Sequence, residues 1–180
     1  MNRSIEHFHG SDLEKIEKVY GIKKENIISF SSNVNPLGIS YKLKETLLSH
    51  LDVITSYPDR EYTSLRTCIG EYVQADYKNI AVGNGSTELI SLFIQLQDTK
   101  NAIIIGPTYS EYEREITLNG GNFQYFSLTK EENDFSLDTT SLINELKQDI
   151  DMLIICNPNN PTSSLIDRET IKTLLKHCEK

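Results

Sequence analysis

Short apolar runs that alternate strictly with helix-patterned stretches constrain this chain more than any other feature. The runs at 80–82, 102–105, 123–126 and 152–156 are rich in Ile, Val and Phe and too short for buried helices. Between them, apolar residues recur at three- and four-residue steps over 88–97, 110–119 and 140–148, and again over 167–177. Parallel strands need a long crossover, and a helix is the usual one, so this succession predicts a mostly parallel sheet covered on both faces. The expected fold class is α/β, a three-layer α/β/α arrangement. Its regular part begins near Thr63, where Leu65, Ile69, Tyr72 and Val73 mark a first helix face.

The stretch before this is less regular. Ser11-Asp12-Leu13-Glu14 has capping-box spacing, with Ser11 as cap and Glu14 reaching back to the cap amide. Leu13, Ile16 and Tyr20 then share a face, and Gly21 supplies a left-handed stop. Residues 27–30 read as a strand, 31–38 as a polar turn region, and 41–51 as a helix before an exposed bend at Tyr57-Pro58-Asp59. Residues 1–40 are expected to form an N-terminal arm, contributing to a small domain and a substrate loop. Residues 41–180 are expected to be the first part of a large domain. The chain runs out in a helix with no return strand, so it reads as the first half of a larger protein.

Charge and cysteine content narrow the partners. The formal charge is -8, with 18 basic against 26 acidic residues and no basic block, which argues against nucleic acid or an anionic membrane. Cys68, Cys156 and Cys178 are far apart, fitting reduced thiols in a cytoplasm better than disulfides or a zinc cluster. His7 and His9 lack an evident third ligand, so no metal site is expected.

Three loops carry the chemistry, each directly after an apolar run, where an open α/β sheet binds ligands. In Gly83-Asn84-Gly85-Ser86-Thr87-Glu88 the glycines permit a tight turn, and two hydroxyls and several amides open a helix whose dipole favours a phosphate. An ordinary strand-to-helix turn uses the same residues. The loop lacks a third glycine for a dinucleotide and the Gly-Lys-Ser/Thr ending of a nucleotide P-loop. Gly106-Pro107-Thr108-Tyr109 presents a ring able to cover an aromatic ligand, or simply to pack. Asn157-Pro158-Asn159-Asn160-Pro161-Thr162 presents Asn157, whose amide can donate to a phenolate oxygen or form a turn. Asn33 and Asn35, before Pro36-Leu37-Gly38, put polar groups on a further loop.

Together with Ser32-Asn33-Val34-Asn35-Pro36-Leu37-Gly38 and Tyr57-Pro58-Asp59, these loops match in order and spacing a known set. The chain resembles the fold-type I pyridoxal-phosphate enzymes, in the histidinol-phosphate aminotransferase and threonine-phosphate decarboxylase branch. The resemblance implies that residues 41–180 begin the large pyridoxal-phosphate-binding domain. It implies Gly85, Ser86 and Thr87 as holders of the cofactor phosphate, Tyr109 on the pyridine ring and Asn157 on its 3-oxygen. It also implies Tyr57 crossing to a neighbouring site in a homodimer, and His9 and Asn33 against a phosphorylated amino-acid or amine substrate. Ser11 stands where the decarboxylase pattern has a second glycine, so transamination is placed first and decarboxylation second. The Schiff-base lysine, the aspartate for the pyridine nitrogen and a carboxylate-binding arginine are expected beyond Lys180. Lys130, Lys172 and Lys176 sit in a polar turn or on a solvated helix face and offer poor substitutes. A phosphate or nucleotide-sugar binding module and a non-catalytic assembly fragment stay as alternatives.

Overall fold

A computed structural model describes residues 12–31, 33–130, 134–146 and 149–178. The chain divides into two compact units, one ending at Arg60 and the other beginning at Glu61.

In the first unit, helix α1 (Leu13–Tyr20) is capped by Asp12, whose carboxylate accepts from the Lys15 amide at 3.2 Å. The cap is thus Asp12 instead of the expected Ser11, which lies outside the described residues. An aspartate one residue nearer the helix does the same job with a charge that also suits the dipole. Gly21 closes α1 at φ 69° as expected. Residues 27–30 pair with no strand among the described residues, with Ile28 and Phe30 exposed, so the expected strand is not seen there. An apolar run becomes a strand only when a neighbour takes its backbone hydrogen bonds. Helix α2 (Tyr41–Ser49) is capped by Ser40 and gives way to a 3₁₀ stretch over Leu51–Thr55.

The second unit opens with α3 (Thr63–Val73) and α4 (Ser86–Leu96). Residues 80–82 between them are extended but pair with no strand among the described residues, a second correction to the expected sheet. Then follow β1 (Asn101–Gly106), α5 (Glu111–Leu118), β2 (Asn122–Ser127), β3 (Thr129–Lys130), β4 (Phe135–Ser136), α6 (Thr139–Glu145), β5 (Met152–Ile154) and α7 (Arg168–Cys178). The β3–β4 ladder is antiparallel and was not expected, since its two short arms flank an acidic stretch that reads only as a turn.

The main sheet has the order β2-β1-β5 and is parallel throughout. From β1 the chain steps through α5 to β2, then returns through α6 to β5 on the other side of β1. Alternate residues of β1 point to opposite faces. Ile103 and Ile105 join Leu142 of α6 and Leu174 of α7 in one buried cluster, while Ala102 and Ile104 join Ile94 of α4 and Ile116 of α5 in the other. Ile103 and Ile104 are fully buried, each worth roughly 1.5–3 kcal/mol by transfer of apolar area from water. Helices cover both faces of this parallel sheet and the strand order reverses at β1, the kind of place where open α/β sheets bind ligands beyond their carboxyl ends. Among the described residues no helix is long and apolar enough to cross a membrane.

Candidate functional site

The second unit carries the turn into α4. Gly85 is the N-cap at φ 85° and ψ 175°, a conformation open essentially only to glycine, and its amide bonds back to Gly83 O at 2.9 Å. No side chain caps α4. Glu88, in the first turn, turns back to accept from the Asn84 amide, which steadies the preceding turn. The Ser86 and Thr87 hydroxyls make no hydrogen bond among the described residues; Ser86 is exposed and Thr87 half-buried. First-turn amides, free hydroxyls and the positive end of an 11-residue helix suit a small dianion.

Packing places α4 and α5 on the same face of the sheet. Ile90, one turn into α4, lies against the same buried cluster as Tyr112 of α5. The Tyr112 ring meets Tyr109 edge-on at 5.7 Å between centroids. Burial, and secondarily the nearby Cys156 thiol, push the Tyr112 hydroxyl up to about 12. A phenol held neutral over the ordinary pH range keeps this wall uncharged. On the next strand, Tyr125 donates to Glu113 at 2.8 Å, and burial with that bond pushes it up to about 12 as well. Its ring lies where a Cβ on Gly106 would sit, 2.7 Å from Cδ1, so only glycine ends β1 without displacing it.

Asn157 follows β5, and its carboxamide is largely committed. Its oxygen accepts from Ile166 N at 2.9 Å and its nitrogen donates to Ile166 O at 3.0 Å, which leaves one N–H. Asn160, on the same loop and half-buried, makes no side-chain hydrogen bond among the described residues. Sequence reasoning passed over Asn160, because two neighbouring asparagines before prolines look alike until their partners are known. Asn159 is buried and bonds both to its own loop and to the β1 loop.

The remaining expected residues belong to the first unit or to residues outside the described ones. Tyr57, 97% exposed, and Asn33, also exposed, belong to the first unit. Asn35 is used locally, its oxygen accepting from Leu37 N and its nitrogen donating to Gly38 O. His9 lies outside the described residues.

Comparison with known proteins supplies the context for these loops. The model of the family described as aminotransferase class I and II matches residues 25–180. A protein of Caldanaerobacter subterraneus subsp. tengcongensis, named provisionally as a threonine-phosphate decarboxylase, is 44% identical over 82% of this chain and 39% of its own. The threonine-phosphate decarboxylase of Salmonella typhimurium is 32% identical over 95% of this chain and 46% of its own. The crystal structure of histidinol-phosphate aminotransferase from Clostridium acetobutylicum superposes with a TM-score of 0.71 at 35% identity, covering 83% of this chain and 43% of that one. The chain therefore spans less than half the length of these relatives.

Proposed function

We propose, for a chain that belongs to the class I and II aminotransferase family, that the intact protein is a pyridoxal-phosphate enzyme acting on an amino acid or amine that carries a phosphate. The observation that carries this reading is the start of α4, where Gly85 holds a glycine-only conformation and leaves the Ser86 and Thr87 hydroxyls without partners. When bound, pyridoxal phosphate supplies an electron sink for the pair left when a bond to the substrate α-carbon breaks. The chain's own contribution is to hold and orient that group. Gly85, Ser86 and Thr87 grip the phosphate, and Tyr109 lies against the ring. Asn160, with its uncommitted carboxamide, donates to the ring's 3-oxygen better than Asn157, which Ile166 already engages. His9 and Asn33 face the substrate in this reading, and Tyr57 reaches the phosphate of a partner subunit in a homodimer. The lysine that bonds the cofactor is assigned to the protein beyond Lys180. Three unpaired cysteines fit a reducing compartment such as the cytoplasm.

Loss of carbon dioxide from a phosphorylated amino acid is favoured by the 44% identity to the Caldanaerobacter protein. Amino transfer is the second reading, supported by the 35% identical aminotransferase structure. Mixing the intact protein with pyridoxal phosphate should give visible absorbance that borohydride abolishes, leaving one modified lysine by peptide mapping. No visible band and no modified lysine would sink the proposal. Carbon dioxide release from threonine phosphate, measured beside amino transfer from histidinol phosphate, separates the two readings.

A further inference from the structure

The Asn159 side chain hydrogen-bonds to none of the residues assigned to the ligand, yet it joins the two ligand-facing loops. It is 8% exposed. Its nitrogen donates to Pro107 O at 2.8 Å and to Thr162 Oγ1 at 2.7 Å, and its oxygen accepts from Thr108 Oγ1 at 2.7 Å. Two of these three bonds cross from the β5 loop to the β1 loop, and they grip the two residues immediately before Tyr109. The third, with Asn159 N to Ser164 O at 3.0 Å and Ser163 N to Asn159 O at 2.7 Å, ties Asn159 into its own turn. Thr162 Oγ1 lies 2.7 Å from Ser164 Oγ, which extends the network. Both amide hydrogens and the oxygen are thereby engaged in a nearly dry setting, where each bond is costly to leave unmade.

We propose that Asn159 is a positioning residue that sets the Tyr109 loop against the loop bearing Asn160, so that ring wall and 3-oxygen donor approach one cofactor together. The proposal rests on the reading above for its ligand, but its mechanical part does not. A side chain serving only its own turn has no need of Pro107 O and Thr108 Oγ1. Thr108 shows the same link from the other side, since its hydroxyl spends its proton on Asn159 Oδ1.

The test uses the intact protein and three variants. Asn159→Ala removes both crossing bonds, Thr108→Val removes one while keeping the side chain's shape, and Thr108→Ser restores the hydroxyl. Hydrogen–deuterium exchange is followed in peptides covering 106–112 and 157–166, and titrations use pyridoxal phosphate and, separately, inorganic phosphate. Exchange should rise in both peptides for Asn159→Ala and Thr108→Val. Pyridoxal phosphate affinity should fall about tenfold and about threefold respectively, and Thr108→Ser should return to wild type. Affinity for inorganic phosphate should not change, because the α4 turn is untouched. Faster exchange confined to the substituted loop, or unchanged pyridoxal phosphate affinity, overturns the proposal. If Asn159→Ala does not fold, Thr108→Val decides by the same criteria. A wild-type protein that binds no pyridoxal phosphate overturns the functional reading instead, and exchange then decides the tie alone.

Discussion

The two ends of one sheet are finished by opposite means. At the amino end, polar groups close on one another. Asp151, just before β5, accepts from the Lys100 amide at 2.8 Å and the Asn101 amide at 3.3 Å. Asp151 N in turn donates to Asn101 O at 3.0 Å, and Asn122 N donates to Lys100 O at 2.7 Å. At the carboxyl end, and in the turn that opens α4 on one face of the sheet, the side chains of Ser86, Thr87 and Asn160 keep unused hydrogen-bonding capacity. The Asn159 network shows that this end is not simply loose. Its satisfied groups hold the loops, and its unsatisfied ones are left for something else. Lack of a side-chain cap is not itself the mark, since α3 and α5 lack one too. The mark is the combination of an uncapped start, a glycine-only turn and free hydroxyls.

The largest effect should come from making the carboxyl end resemble a self-satisfied one. Ser86→Asp places a carboxylate in the first turn of α4, where the dipole favours it by about 0.3–1 kcal/mol. The melting temperature of the intact protein should rise slightly. Affinity for pyridoxal phosphate should fall about 100-fold, on the order of 2.7 kcal/mol, because the new charge occupies the place of the phosphate and repels it. Ser86→Ala should lose only about tenfold, one hydrogen bond to a charged group. Melting curves and cofactor titration read the two effects separately. If Ser86→Asp binds as wild type does, the α4 turn is not where the anion sits.

At the opposite end the signs should separate. Asp151→Ala strips an acceptor from two amides and should cost about 1–3 kcal/mol, read by chemical denaturation. Cofactor affinity should stay within about twofold, inside the spread expected for distant sites that share no partner. A loss of affinity as large as that of Ser86→Asp would erase the distinction between the two ends.

This contrast was only partly legible in the sequence. The alternation of strands and helices is a local pattern, so β1, β2, β5 and α5 could be read within a residue or two, while α6 ends at Glu145, three residues before the expected 148. The runs at 27–30 and 80–82 failed because pairing depends on a neighbour, and no pattern within a run reveals whether one is present. The turn at Gly85-Ser86-Thr87 was legible as a turn, because glycine and hydroxyl residues before an apolar helix mark a helix start. The asparagines after β5 were not. Which carboxamide is committed depends on Ile166, Pro107 and Thr108, two of them about fifty residues away in sequence, and only folding brings those partners to it.

The smallest effect should fall on Ser163, the non-glycine residue of the β5 loop held at φ 60°. A side chain in the left-handed region costs roughly 1–2 kcal/mol, whereas glycine adds unfolded-state entropy worth roughly 0.5–1 kcal/mol. Ser163→Gly should therefore stabilise by on the order of 0.5 kcal/mol, seen as a higher denaturation midpoint at constant slope. Ser163→Ala should be neutral, because the serine hydroxyl makes no hydrogen bond among the described residues and φ is unchanged. Asn159 O already receives the Ser163 amide at 2.7 Å, so the substitution relieves the backbone without loosening the tie, and cofactor affinity should hold. A gain in stability accompanied by weaker binding would mean that the left-handed serine itself helps aim the loop. Strain at the carboxyl end would then belong to the site.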